Sequence, residues 1–120
     1  MRNKFAATLL TMVANSHLWH FLTSSYAAHM AFGDFYEKLQ GLADSYIEAD
    51  IGVHGKIRNE AEPFYYKDLG SSVQALRSFR LDVKAVRDAQ EHLGHNGLVA
   101  TLEEIMALVD GTLYKLNNLQ

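Results

Sequence analysis

Pro63 is the only proline in the chain, and it falls in a stretch, 54–70, that Gly55 and Gly70 also punctuate. Helix breakers are thus gathered in one place. On either side, apolar residues recur at three- and four-residue steps, the period of a helix with one buried face. Before Pro63, Ala6, Leu10, Val13, Ala14, His17 and Phe21 mark a buried stripe on a helix over 3–21, with Asn3, Lys4, Thr8, Thr11 and Asn15 facing out. Thr23, Ser24 and Ser25 offer an N-cap for a second helix running to about Val53. Its inward face reads Ala28, Phe32, Phe35, Tyr36, Leu39, Leu42, Ala43, Tyr46, Ile47 and Ile51.

After the break, Ser71 or Ser72 caps a third helix to about Leu93, with Leu76, Phe79, Val83, Val86 and Leu93 in step. Gly94 to Gly97 makes a turn, Asn96 caps a fourth helix, and Leu98, Leu102, Ile105, Val109, Leu113 and Leu116 form its stripe. The stretch 54–70 is polar, carrying Lys56, Arg58, Glu60, Glu62, Lys67 and Asp68, while Phe64, Tyr65 and Tyr66 are expected to pack back on the helices. The pattern predicts an all-α chain forming one domain over 1–120, a four-helix bundle whose second and third helices are joined by a crossover.

Composition narrows the function. Hydrophobic residues make up 48% and charged ones 21%, an ordinary globular balance. No apolar run is long enough to cross a membrane. The basic and apolar N-terminus is interrupted by Thr8, Thr11 and Asn15 at helical spacing, so it reads as an amphipathic helix and not as a signal peptide. There are no cysteines, which excludes disulfides, thiolate zinc sites and cysteine nucleophiles and fits a reducing cytoplasm. A net charge of −3 argues against a nucleic-acid face. Arg77, Arg80, Lys84 and Arg87 are the one basic concentration, expected to be solvated or paired with acids. Asp88 and His92 are an i,i+4 pair with His95 nearby; a minor metal site is one reading, a helix C-terminal histidine the simpler one.

His17, His29, Asp44 and Glu48 carry the chemistry. His29 follows His17 by twelve residues, and Asp44 and Glu48 lie fifteen and nineteen beyond His29. On a 3.6-residue period the last three project within roughly 100° of one another. Two imidazoles and two carboxylates make a mixed nitrogen and oxygen set suited to iron, manganese or zinc. His20 lies about 60° from His17 and reads as a supporting group or an alternative ligand. Glu37 shares nearly the angle of Asp44 and Glu48, and Asp34 points farther round. No Glu-x-x-His occurs on the third or fourth helix, so a site enclosed in one bundle lacks half its ligands.

This pattern resembles the miniferritins, or Dps-type proteins. They show a His and a Trp near the end of the first helix, a second His twelve residues on, and after fifteen more an Asp-x-x-x-Glu. Here these are His17 and Trp19, His29, and Asp44 with Glu48. The last helix, ending Leu113-Tyr-Lys-Leu-Asn-Asn-Leu119, is similar to theirs as well. The chain departs in its short length, in a Trp one place late, and in Gly33, where family members usually have an Asp.

The resemblance implies a ferritin-like bundle that binds ferrous iron, or another divalent metal, and oxidises it with hydrogen peroxide or oxygen. His17 and His29 of one chain would face Asp44 and Glu48 of a two-fold partner, with Trp19 packed beside them, in a homo-oligomer such as a dodecameric shell. DNA binding is expected to be weak or absent, since neither end carries a lysine-rich tail. The alternative is a ferritin-like assembly or interaction protein without redox chemistry, which Gly33 and the short chain favour.

Overall fold

A computed structural model describes residues 2–58 and 65–119. Among them are four α-helices, α1 (Arg2–Leu22), α2 (Tyr26–His54), α3 (Ser72–His92) and α4 (Asn96–Asn118), and a single 3-10 turn over Leu69–Ser71. No strand occurs among the described residues. α1 packs on α2, α2 on α4 and α4 on α3, while α3 meets α1 more sparsely. The arrangement is compatible with a four-helix bundle. No helix of the described residues is long and apolar enough to cross a membrane.

The ends of the helices follow from local chemistry. Ser25 caps α2, its hydroxyl accepting the Ala28 N–H at 3.2 Å, and Thr23 takes the Ser25 N–H in turn. α2 stops at Gly55, whose φ of +90° suits a residue without a Cβ, and whose N–H returns to the Ile51 carbonyl. Gly94, at φ +79°, turns the chain between α3 and α4. The 3-10 turn is capped by Asp68, which accepts from the Ser71 N–H. Asn96 is the first residue of α4 and not its cap, a place taken by His95.

The core is built by Trp19, Phe32, Phe35, Leu39, Leu76, Val83, Leu102, Ile105 and Val109, all fully buried. Each such side chain contributes about 1.5–3 kcal/mol relative to exposure. The stripes expected on α2, α3 and α4 hold in their main members, with Leu93 the exception, exposed just past the end of α3.

α1 differs. Its buried face is Phe5, Ala6, Leu9, Met12, Asn15, Ser16 and Trp19. Leu10 is 51% exposed, Phe21 is 69% exposed, and His17 also faces solvent, whereas Asn15, expected outside, is buried. The physical reason is a partner distant in sequence. Asn15 accepts the Lys67 N–H at 2.9 Å and donates to the Tyr65 carbonyl at 3.2 Å, and the Trp19 indole donates to the Lys67 carbonyl at 2.8 Å. A buried amide satisfied on both sides costs little, and the indole brings a large apolar payload with it. Farther back along α1, Asn3 accepts the Arg58 N–H. The Tyr65 and Tyr66 side chains stay exposed instead of packing inward. Glu60, Glu62, Pro63 and Phe64 lie outside the described residues.

Candidate functional site

The α1–α2 turn holds three histidines in two different settings. His17 is exposed and stacks on Tyr36, ring centroids 4.0 Å apart and planes 17° from parallel. His20 and His29 stack on each other at 3.8 Å and 19°. The His20 Nδ1–H donates to the His29 carbonyl at 2.7 Å, and the His29 Nδ1–H donates to the His20 carbonyl at 2.8 Å. A carbonyl only accepts, so both Nδ1 atoms carry protons, and in the neutral rings both Nε2 atoms keep their lone pairs. The His20 carbonyl lies in the last turn of α1, where it has no partner within the helix, and His29 supplies one.

This clasp accounts for Gly33. A Cβ built there would meet the His20 ring at 3.1 Å, at both Cε1 and Nδ1. His20 therefore takes the space into which a side chain at position 33 would grow. Because its ring is both hydrogen-bonded and stacked, it has little room to give. Trp19 is fully buried against Phe32, with its N–H spent on Lys67.

Asp44 and Glu48 are exposed on α2, and neither has an ion-pair partner among the described residues. Fifteen residues of helix place Asp44 about 22 Å along the axis from His29. The chain thus brings His17 and His29 to one corner and leaves Asp44 and Glu48 far from both. No group of three or more His, Asp or Glu among the described residues is placed to hold a metal ion. Glu37 is exposed, and Asp34 pairs with Lys115 at 3.6 Å. Leu18, Phe21, Leu22, Tyr26 and Met30 are exposed apolar side chains around the same corner.

A second polar group went unread in the sequence. Asp50 is 5% exposed, and both its oxygens are used. Arg2 Nε donates to Oδ2 at 2.8 Å, and Gln90 Nε2 donates to Oδ1 at 3.3 Å. Gln90 also donates to the Tyr46 hydroxyl oxygen at 3.0 Å and accepts from His54 Nε2 at 3.2 Å. Arg2 further donates to the His54 and Gly55 carbonyls, tying the start of α1 to the end of α2. Burial pushes the Tyr46 phenol above its ordinary range; the Gln90 hydrogen bond opposes this, while the Asp50 charge adds to it. The signal was legible: Leu39, Ala43, Tyr46 and Asp50 step by four, three and four, which puts an acid on the apolar stripe.

The basic flank of α3 is largely paired with acids. Arg80 makes a two-pronged contact with Asp110, Lys84 meets Asp88, and Arg87 reaches Asp88, Glu91 and Glu103. Donation from Lys84, and then from Arg87, holds the Asp88 carboxyl below its ordinary range. His92 is exposed at the end of α3. His95 meets His54 edge-on at 4.9 Å.

Residues 20–116 match a family model described as "Family of unknown function (DUF5856)". The chain belongs to this family. The match takes in His20, His29, Gly33, Asp44, Glu48, Asp50 and Gln90 and begins after His17. No curated protein and no solved structure matches the chain.

Proposed function

We propose that two copies of this chain meet through the outer face of α1 and α2 and bind ferrous iron between them, as a miniferritin-type, ferritin-like bundle. His17 and His29 of one copy supply nitrogen, and Asp44 and Glu48 of the other supply oxygen and offset the charge of the dication. Iron is substrate and cargo: each ferrous ion gives one electron to hydrogen peroxide or oxygen, and the ferric product is kept inside a closed shell, dodecameric as the resemblance implies. The reading rests on the residue pattern and on one observation. Both carboxylates stand unpaired in solvent, Asp44 about 22 Å and Glu48 about 28 Å along α2 from His29, so histidines and acids can share an ion only across two chains.

The surroundings support it. Leu18, Phe21, Leu22, Tyr26 and Met30 expose apolar surface beside the histidines, as a subunit interface requires. Gln90, near the end of α3, donates to Tyr46 and Asp50 of α2 and accepts from His54, which brings two helix C-termini together. Arg58 at Asn3, and Lys67 at Asn15, place the connection against α1 at both ends. Both sets of bonds support a crossover between α2 and α3 and a single ferritin-like domain.

The second reading, an assembly or interaction protein without redox chemistry, is favoured by Gly33: while His20 keeps its place, no carboxylate fits there. Sedimentation of the protein at micromolar concentration, followed by ferrous titration in air, separates the two. An oligomer that takes up and oxidises iron supports the first; an oligomer that takes up none supports the second. A stable monomer excludes the intersubunit site.

A further inference from the structure

On the inward side of α2 the Asp50 network borders a cavity of about 220 Å³. Phe5 and Ala6 of α1, Ile47 of α2, Val86 and Ala89 of α3, and Leu93 just past its end give it mostly apolar walls. Arg2, Tyr46, Asp50, His54 and Gln90 form its polar part, the Arg2 donors being spent on Asp50 and on the His54 and Gly55 carbonyls. The hydrogen bonds fix what this part can offer. Asp50 only accepts, so the nitrogen of the Gln90 amide must face it, and the same nitrogen donates to the Tyr46 oxygen. The Tyr46 hydroxyl proton therefore has no acceptor among the described residues, although the side chain is 3% exposed. The Asp50 charge is already met by Arg2 and Gln90, so nothing in the cavity calls for a counter-ion.

We propose that this cavity binds a small uncharged molecule, an apolar body of one ring or a short branched chain, carrying one hydroxyl or carbonyl oxygen that accepts the Tyr46 proton. The size sets the class. A cavity of about 150 Å³ holds benzene, and drug-sized ligands need at least about 300 Å³. Water fills such a space poorly, because it needs two to four polar partners and the walls here are mostly apolar. An anion would lie beside the Asp50 carboxylate, and a cation would find no unspent acceptor charge; both are disfavoured. With its pKa raised by burial, Tyr46 stays a donor at neutral pH.

The test uses benzyl alcohol, toluene and benzoate with the full-length protein, followed by proton NMR shifts and calorimetry. Benzyl alcohol is expected to bind saturably, with a Kd on the order of 0.1–1 mM for so small a ligand. Tyr46→Phe should weaken benzyl alcohol about fivefold, the loss of one hydrogen bond, and leave toluene unchanged. Ala89→Leu should fill the cavity and abolish both. Should that variant fail to fold, the comparison of Tyr46→Phe with the wild type decides alone. No saturable binding to the wild type, or equal benzyl alcohol affinity in Tyr46→Phe, overturns the proposal, as does benzoate binding more tightly than benzyl alcohol. None of these outcomes depends on iron or on the outer face of α2.

Discussion

Glu48 and Asp50 are two residues apart on α2, yet Asp50 spends both oxygens on protein donors while Glu48, like Asp44, faces solvent with no ion-pair partner among the described residues. The histidines divide similarly. His20 and His29 clasp each other's backbone, while His17 lies exposed on Tyr36. Satisfied polar groups on the inner side hold the helices in register. Unsatisfied ones outside, His17 beside exposed Phe21 and Asp44 and Glu48 farther along α2, contribute little within one chain. Ionisable residues serve the fold where neighbours complete their bonding, and leave capacity for a second molecule where none does.

The sharpest way to break this contrast is to remove one acid from each side. Asp50→Ala should lower stability by about 2–4 kcal/mol, because it strips partners from Arg2 and from buried Gln90. The lower end is favoured, since the Arg2 side chain is 33% exposed and can rehydrate. Asp44→Ala and Glu48→Ala should stay within about 0.5 kcal/mol of the wild type. Urea midpoints compared at constant slope measure all three.

A smaller effect tests the clasp. Gly→Ala in a helix interior ordinarily gains about 1 kcal/mol. At Gly33 the new methyl would lie 3.1 Å from a ring that cannot easily move, so Gly33→Ala alone should gain nothing or lose stability. In a His20→Ala background the same change should recover the gain, giving a coupling of about 1 kcal/mol in the double-mutant cycle. Additive effects would mean that His20 yields freely.

The smallest effect is alkaline. The folded-state pKa of Tyr46 is raised, so the stability it contributes is present below its unfolded value of about 10 and is lost as pH rises through the folded one. The stability difference between wild type and Tyr46→Phe should therefore start to shrink as the pH rises past about 10. A difference that stays constant would show the phenol to be unshifted.

The helices and their ends were legible because apolar steps and capping serines are local signals, and Ser25 and Gly55 act as such signals should. The facing of α1 was not. Leu9, Leu10, Met12, Val13, Leu18, Trp19, Phe21 and Leu22 spread round the helix, so two stripes fit the period equally well. Asn15 and Trp19 choose between them through bonds to Tyr65 and Lys67, partners some fifty residues away that periodicity cannot reveal. The spacing of His17, His29, Asp44 and Glu48 was plain in the sequence, but the pairing of His29 with His20 was not, because it depends on the turn that brings the two helices together. Gly33 looked like a missing ligand, and its neighbour gives it a packing reason as well.

The claim that the outer face of α1 and α2 works between chains is tested most directly by complementation. His29→Ala and Asp44→Ala homodimers should each fail to bind and oxidise iron, since every site lacks one ligand. In a mixed dimer one site gathers both defects and the other gathers none, so ferrous oxidation should return to about half the wild-type level per dimer. Recovery to that level is the predicted result. Mixed dimers that stay inactive, beside a wild type that oxidises iron, would contradict the division of ligands between two copies.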